Sequence, residues 1–246
     1  MANNYNASLQ QPPGGQWSRA AAPHGWWAFA RRAPFTSFVL VACVLLELPY
    51  LVNPAFNNAL GVAAGVAFFE PWRLITSAFA HFGPVHLVMN MWMLMLIGPP
   101  LERSLGTWRF AWLYLFSALG GSVLVEAMQL WGVSSPSLAA GASGALFGLF
   151  GSLVVLYKRT NSSLYSVLVI LAINLVYTFI YPGISWEGHL GGLVAGAVFA
   201  LVLKGTPLPG APIELWSRAR RYQVPVALLL TAALLVFHWA IYQPYL

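Results

Sequence analysis

Seven apolar stretches dominate this chain, near residues 34–55, 86–102, 108–130, 141–158, 164–181, 188–205 and 224–243. A helix of roughly 20 apolar residues covers the hydrocarbon core of a bilayer. Each stretch is therefore expected to be one spanning helix, and the fold an all-α polytopic membrane protein. The second, fourth, fifth and sixth are at the short end of that range, which is tolerable where neighbouring helices bury them. Composition agrees, since 59% of residues are hydrophobic and 7% charged, against about 25% charged in an ordinary soluble domain.

The basic residues test the span count. With the N-terminus cytoplasmic, alternation puts Arg19, Arg31, Arg32, Arg103, Arg109, Lys158, Arg159, Lys204, Arg218, Arg220 and Arg221 on the cytoplasmic side. Of the 12 Lys and Arg, that leaves Arg73 alone outside, as the positive-inside rule requires. The net charge of +6 thus reads as membrane orientation and not as nucleic-acid binding.

The expected organisation is a disordered cytoplasmic tail over 1–33 without the apolar core of a signal peptide, then a six-helix core over 34–205. Within that core the loop at about 56–85 is itself apolar and is expected to lie in or on the outer leaflet. A basic cytoplasmic linker over 206–223 leads to a seventh helix within 224–246. The cytoplasmic placement of Asn6 and Asn161 argues against glycosylation. The lone Cys43 excludes an internal disulfide and a cysteine-based metal site.

Ionisable and polar residues within spans are costly and therefore informative. His86 and Asn90 enter the second stretch, Ser143 the fourth and His189 the sixth, all near the outer end of their spans. Each has a bland explanation. Gly144 and Gly148 beside Ser143, and Gly191, Gly192 and Gly196 after His189, suit close helix packing. His86 and Asn90, four residues apart and on one face, could be an interhelical hydrogen-bonding pair. All four explanations would have to hold at one depth, and a single shared site accounts for them together.

The chemistry of such a site is coherent. A serine hydroxyl needs an adjacent base, and an imidazole can take its proton and return it to a leaving amine. Oxyanion donors are available from His86, Asn90 and the Ser143 amide, which near a helix N-terminus has no intrahelical acceptor. The sequence has no Asp, which excludes an Asp-assisted triad and a two-aspartate protease, and it has no His-Glu-x-x-His zinc motif. No metal or organic cofactor is implied.

Over about residues 70–200 the chain resembles the rhomboid family of intramembrane serine proteases. The resemblance rests on Trp72-Arg73, His81, His86-xxx-Asn90, Gly-Pro-Pro-Leu-Glu102, Gly141-Ala-Ser143-Gly144 and Gly188-His189, in that order. It implies a six-helix rhomboid core plus one C-terminal helix, with Ser143 as nucleophile and His189 as base. His86, Asn90 and the Ser143 backbone would form the oxyanion hole. Phe147 falls where many rhomboids carry a Tyr stacked on the histidine, so stacking without a hydrogen bond is expected. Gly141, Gly144, Trp72, Arg73 and Glu102 resemble supporting positions. The implied substrates are single-pass transmembrane proteins cut near the outer face, in a bacterial cytoplasmic membrane, with water reaching Ser143 past Trp186-Glu187 and His81. The competing readings are an inactive relative that binds client helices and a transporter, whose site would be nearer the bilayer midplane. Oligomeric state and the role of the seventh helix, with His238, stay open.

Overall fold

The computed structural model describes residues 25–157, 164–180, 183–207 and 212–246. The first 24 residues of the expected tail, Lys158, Arg159 and Asn161, and residues 208–211 of the linker lie outside them. Among the described residues ten α-helices follow one another: α1 Trp26–Arg32, α2 Pro34–Val52, α3 Val66–Phe69, α4 Arg73–Thr76, α5 Pro84–Leu105, α6 Thr107–Leu130, α7 Ser143–Leu156, α8 Leu164–Ile180, α9 Trp186–Leu203 and α10 Ile213–Tyr242. The seven long ones match the seven expected spans. Five are long and apolar enough to cross a membrane, and the helices in 143–156 and 165–180 are shorter but apolar. Among the described residues the only β-type pairing is one bridge between Val62 and Ala139.

Local chemistry sets the helix ends. Pro34 and Pro84 open α2 and α5, where a missing N–H costs nothing and the fixed φ favours helix. Gly106, at φ 81, separates α5 from α6; a side chain would resist that backbone angle. Ser185 caps α9 by accepting from the Gly188 N–H at 3.1 Å, satisfying one orphan donor.

One correction concerns the linker. Helix α10 begins at Ile213, well before the apolar run at 224, so most of the expected basic linker is the helix's first turns. Glu214, Arg218, Arg220 and Arg221 are exposed there and need not enter hydrocarbon.

Helix α6 is the centre of the bundle, with 78% of its most apolar window buried against 17% for α10. Backbones of α6, α7 and α9 approach at glycines. A Cβ added to Gly192 would strike the Gly144 carbonyl, and one added to Gly196 would strike that of Gly148. Such contact is what small residues permit where lipid gives no hydrophobic drive for association.

Two buried ionic groups fix the periphery. Glu102, 1% exposed, accepts from the Phe35 and Thr36 amides at 2.9 Å and from Thr36 Oγ1 at 2.7 Å, tying α5 to the start of α2. Arg73 organises the long loop of residues 53–83. Its Nε meets Glu70 at 2.7 Å, and its Nη1 donates to the carbonyls of Gly61, at 2.9 Å, and Asn58. Trp72 beside it is exposed, as is Phe69.

Candidate active site

Ser143 is the first residue of α7, so its amide has no intrahelical acceptor. The turn that delivers it depends on Gly141, at φ 138. The Gly141 amide donates to the Ser77 carbonyl at 2.8 Å. A Cβ at Gly141 would lie 2.8 Å from His86 Nε2 and 3.6 Å from Ser143 Oγ. The glycine therefore marks the point where the His86 ring and the serine hydroxyl converge, and a side chain would fill it.

His189, 7% exposed, is placed by the capped start of α9. Its ring stacks on Phe147 at 4.1 Å between centroids and 13° between planes. Its Nδ1 is 2.6 Å from Thr178 Oγ1. The Thr178 hydroxyl donates to the Asn174 carbonyl one turn earlier, at 2.7 Å, so its oxygen is left to accept. That arrangement assigns the imidazole proton to Nδ1 and leaves Nε2 as a free base.

His86 has the opposite tautomer. Its Nδ1 accepts from the Phe82 amide at 3.4 Å, which puts the proton of the neutral ring on Nε2, the atom facing Gly141. Asn90 donates one amide hydrogen to the His86 carbonyl within α5, at 2.9 Å, and keeps its second. This bond runs from the Asn90 side chain to the backbone of its own helix and not to the His86 ring.

A cavity of about 480 Å³ is lined by Ser143, His189, His86 and Asn90 together, and also by Gly141, Gly144, Phe147 and Thr178. Three helices bring a potential nucleophile, a proton acceptor and hydrogen-bond donors to one chamber with apolar walls that include Met89, Met93 and Phe150. Such an arrangement suits acyl transfer.

The profile of the Rhomboid domain matches residues 69–206, which contain every one of these side chains. The chain belongs to the rhomboid family. It is 38% identical over 148 residues to RHOMBOID-like protein 6, mitochondrial, of Arabidopsis thaliana, covering 57% of this chain and 46% of that protein. It is 37% identical over 153 residues to rhomboid protease GluP of Bacillus subtilis (strain 168), covering 59% and 28%. With YdcA of the same bacterium it shares 32% identity over 188 residues, 71% of this chain and 90% of that one. The first two relatives match it over less than half of their own length. Membership makes this an integral membrane protein with a six-helix rhomboid core, α2 and α5–α9, followed by α10.

Within this rhomboid, Trp72, Arg73 and Glu102 are not among the cavity-lining residues; Arg73 holds the loop and Glu102 ties the far end of α5 to α2, while the Trp72 side chain is exposed. His81, Trp186 and Glu187 are not among the lining residues. His81 is fully buried and accepts the Ala142 amide at Nε2, 3.4 Å away. Burial and the nearby His86 push its pKa down to about 3, so it acts as a neutral prop behind the Ser143 turn. The cavity residue that the sequence reading missed is Thr178, the hydrogen-bond partner of His189. A signal existed: Thr178 and Asn174 are polar residues one turn apart in an apolar helix.

Proposed function

We propose that this rhomboid is an intramembrane serine endopeptidase that cleaves helices of single-pass membrane proteins through a Ser143–His189 dyad. The observation that carries the reading is the cavity that Ser143, His189, His86 and Asn90 line together. His189 Nε2 can take the Ser143 proton as Oγ attacks the scissile carbonyl. The oxyanion so formed would be met by His86 Nε2–H, the spare Asn90 hydrogen and the Ser143 amide. His189 then gives its proton to the leaving amine, and water attacking the acyl-serine completes the cycle by the same route. A helical substrate must unwind first, because its carbonyls are hydrogen-bonded, so helix-weakening residues at the cut are favoured. Charge alternation supports a cytoplasmic N-terminus and a site near the outer face, in a bacterial cytoplasmic membrane.

Labelling of the detergent-solubilised protein with a fluorophosphonate tests the reading. We expect one adduct, mapped to Ser143 by mass spectrometry; a folded protein that takes no label, or takes it elsewhere, overturns it and favours an inactive relative.

Thr178→Val tests the orienting hydrogen bond. Losing one such bond is expected to lower kcat about tenfold with KM unchanged, since the bond acts on the base and not on substrate binding. An unaltered kcat would remove Thr178 from the mechanism.

A further inference from the structure

The seventh helix is joined to the core by a buried polar cluster that packing alone does not require. Glu126 of α6 is fully buried, and both of its carboxylate oxygens face α10. Tyr242 donates its hydroxyl to Oε1 at 2.6 Å. His238 Nδ1 lies 2.8 Å from Oε2. The Tyr242 oxygen also accepts the Gly65 amide of the long loop at 3.0 Å, and its ring lies 4.7 Å from that of Phe68. Burying a carboxylate in a span is expensive, whereas a helix retained only by lipid and van der Waals contact would need none.

From Gly65 the contacts lead to the nucleophile. The neighbouring Ala64 amide donates to Gln129 Oε1, and Gln129 Nε2 donates to the Ser137 carbonyl, both at 2.8 Å. Val62 and Ala139 exchange two backbone bonds of 2.8 Å. Two residues on is Gly141, held to Ser77 and set against His86 and Ser143. The links at Gly65, Ala64 and Ser137 are hydrogen bonds between a loop and a helix side chain, and the one between Val62 and Ala139 joins two loops. The turn that presents Ser143 is therefore backed by the long loop, and the long loop by the end of α10.

We infer that α10 is a positioning element for catalysis, with Tyr242 as the positioning residue that fixes the long loop through Glu126 and thereby the Ser143 turn. This rests on the protease reading above. A displacement of the turn by even part of an ångström would misplace Ser143 and the Gly141 surface against both imidazoles, and catalytic geometry is unforgiving on that scale.

The test is Tyr242→Phe in the full chain, which keeps the ring on Phe68 and removes only the hydroxyl. Fluorophosphonate titration counts intact sites, after which kcat per titrated site and KM are measured on a single-pass helical substrate. We expect kcat per site to fall about tenfold with KM unchanged. Glu126→Gln, which still offers an oxygen to Tyr242, should retain more of this rate than Glu126→Leu. A merely structural role would lower the number of titratable sites or the melting temperature and leave kcat per site at the wild-type value. That outcome overturns the inference while leaving the protease reading intact. A wild type that neither labels nor cleaves removes both.

Discussion

Ser143→Ala is expected to lower cleavage of a helical substrate in proteoliposomes by roughly 10⁶-fold, the scale seen when a serine hydrolase loses its nucleophile, which leaves no measurable turnover. His189→Ala is expected to approach the same floor. The double variant should be no slower than either single one. The reason is chemical: without the base the hydroxyl is a poor nucleophile, and without the hydroxyl the base has no proton to take, so the second loss removes nothing further. Residual cleavage that falls multiplicatively in the double variant would mean that the two side chains act independently, and the dyad would have to be abandoned. Folding should be untouched in Ser143→Ala, since the hydroxyl lines a cavity and holds up no neighbouring element.

The second large effect concerns the fold. Gly196→Val is expected to destabilise the bundle by more than about 4 kcal/mol, the range reserved for changes with a definite steric or cavity cause. The clash is with the carbonyl, its carbon and the Cα of Gly148. These are backbone atoms, so no rotamer change relieves it and α7 must move away from α9. That movement would also separate Phe147 from His189, so activity should vanish together with stability. The control is Val194→Leu, on the same helix but 53% exposed, which should unfold like wild type. Unfolding followed by circular dichroism against increasing SDS fraction distinguishes the two. A Gly196→Val midpoint equal to wild type would show that the α7–α9 contact has slack.

Both predictions rest on residues visible in the sequence, and the reason is the solvent. In hydrocarbon, a polar side chain or a glycine run inside an apolar stretch must have a purpose, so Ser143, His189, His86, Asn90 and the Gly144–Gly148 and Gly192–Gly196 spacings could be picked out without coordinates. The stacking of Phe147 on His189 followed from a helical turn's spacing and the family resemblance. The start of α10 was misjudged for the converse reason. Hydropathy detects where a helix is in lipid, not where it begins, and the charged turns from Ile213 to Tyr222 carry no hydrophobic signal.

What the sequence by itself determined is the set of apolar helices and the polar residues able to do chemistry, because each of these is a property of local composition and helical period. What only the tertiary structure decided is which partner each polar group meets. The proton position on His189 depends on Thr178 in another helix. His81, a plausible channel residue by sequence, proves to be a buried support for the Ala142 amide. Glu126 and Tyr242 are 116 residues apart, and no periodicity links them. Hydrogen-bond pairing across such distances is set by how helices and loops close on one another, and that closure is where a list of polar residues becomes a site.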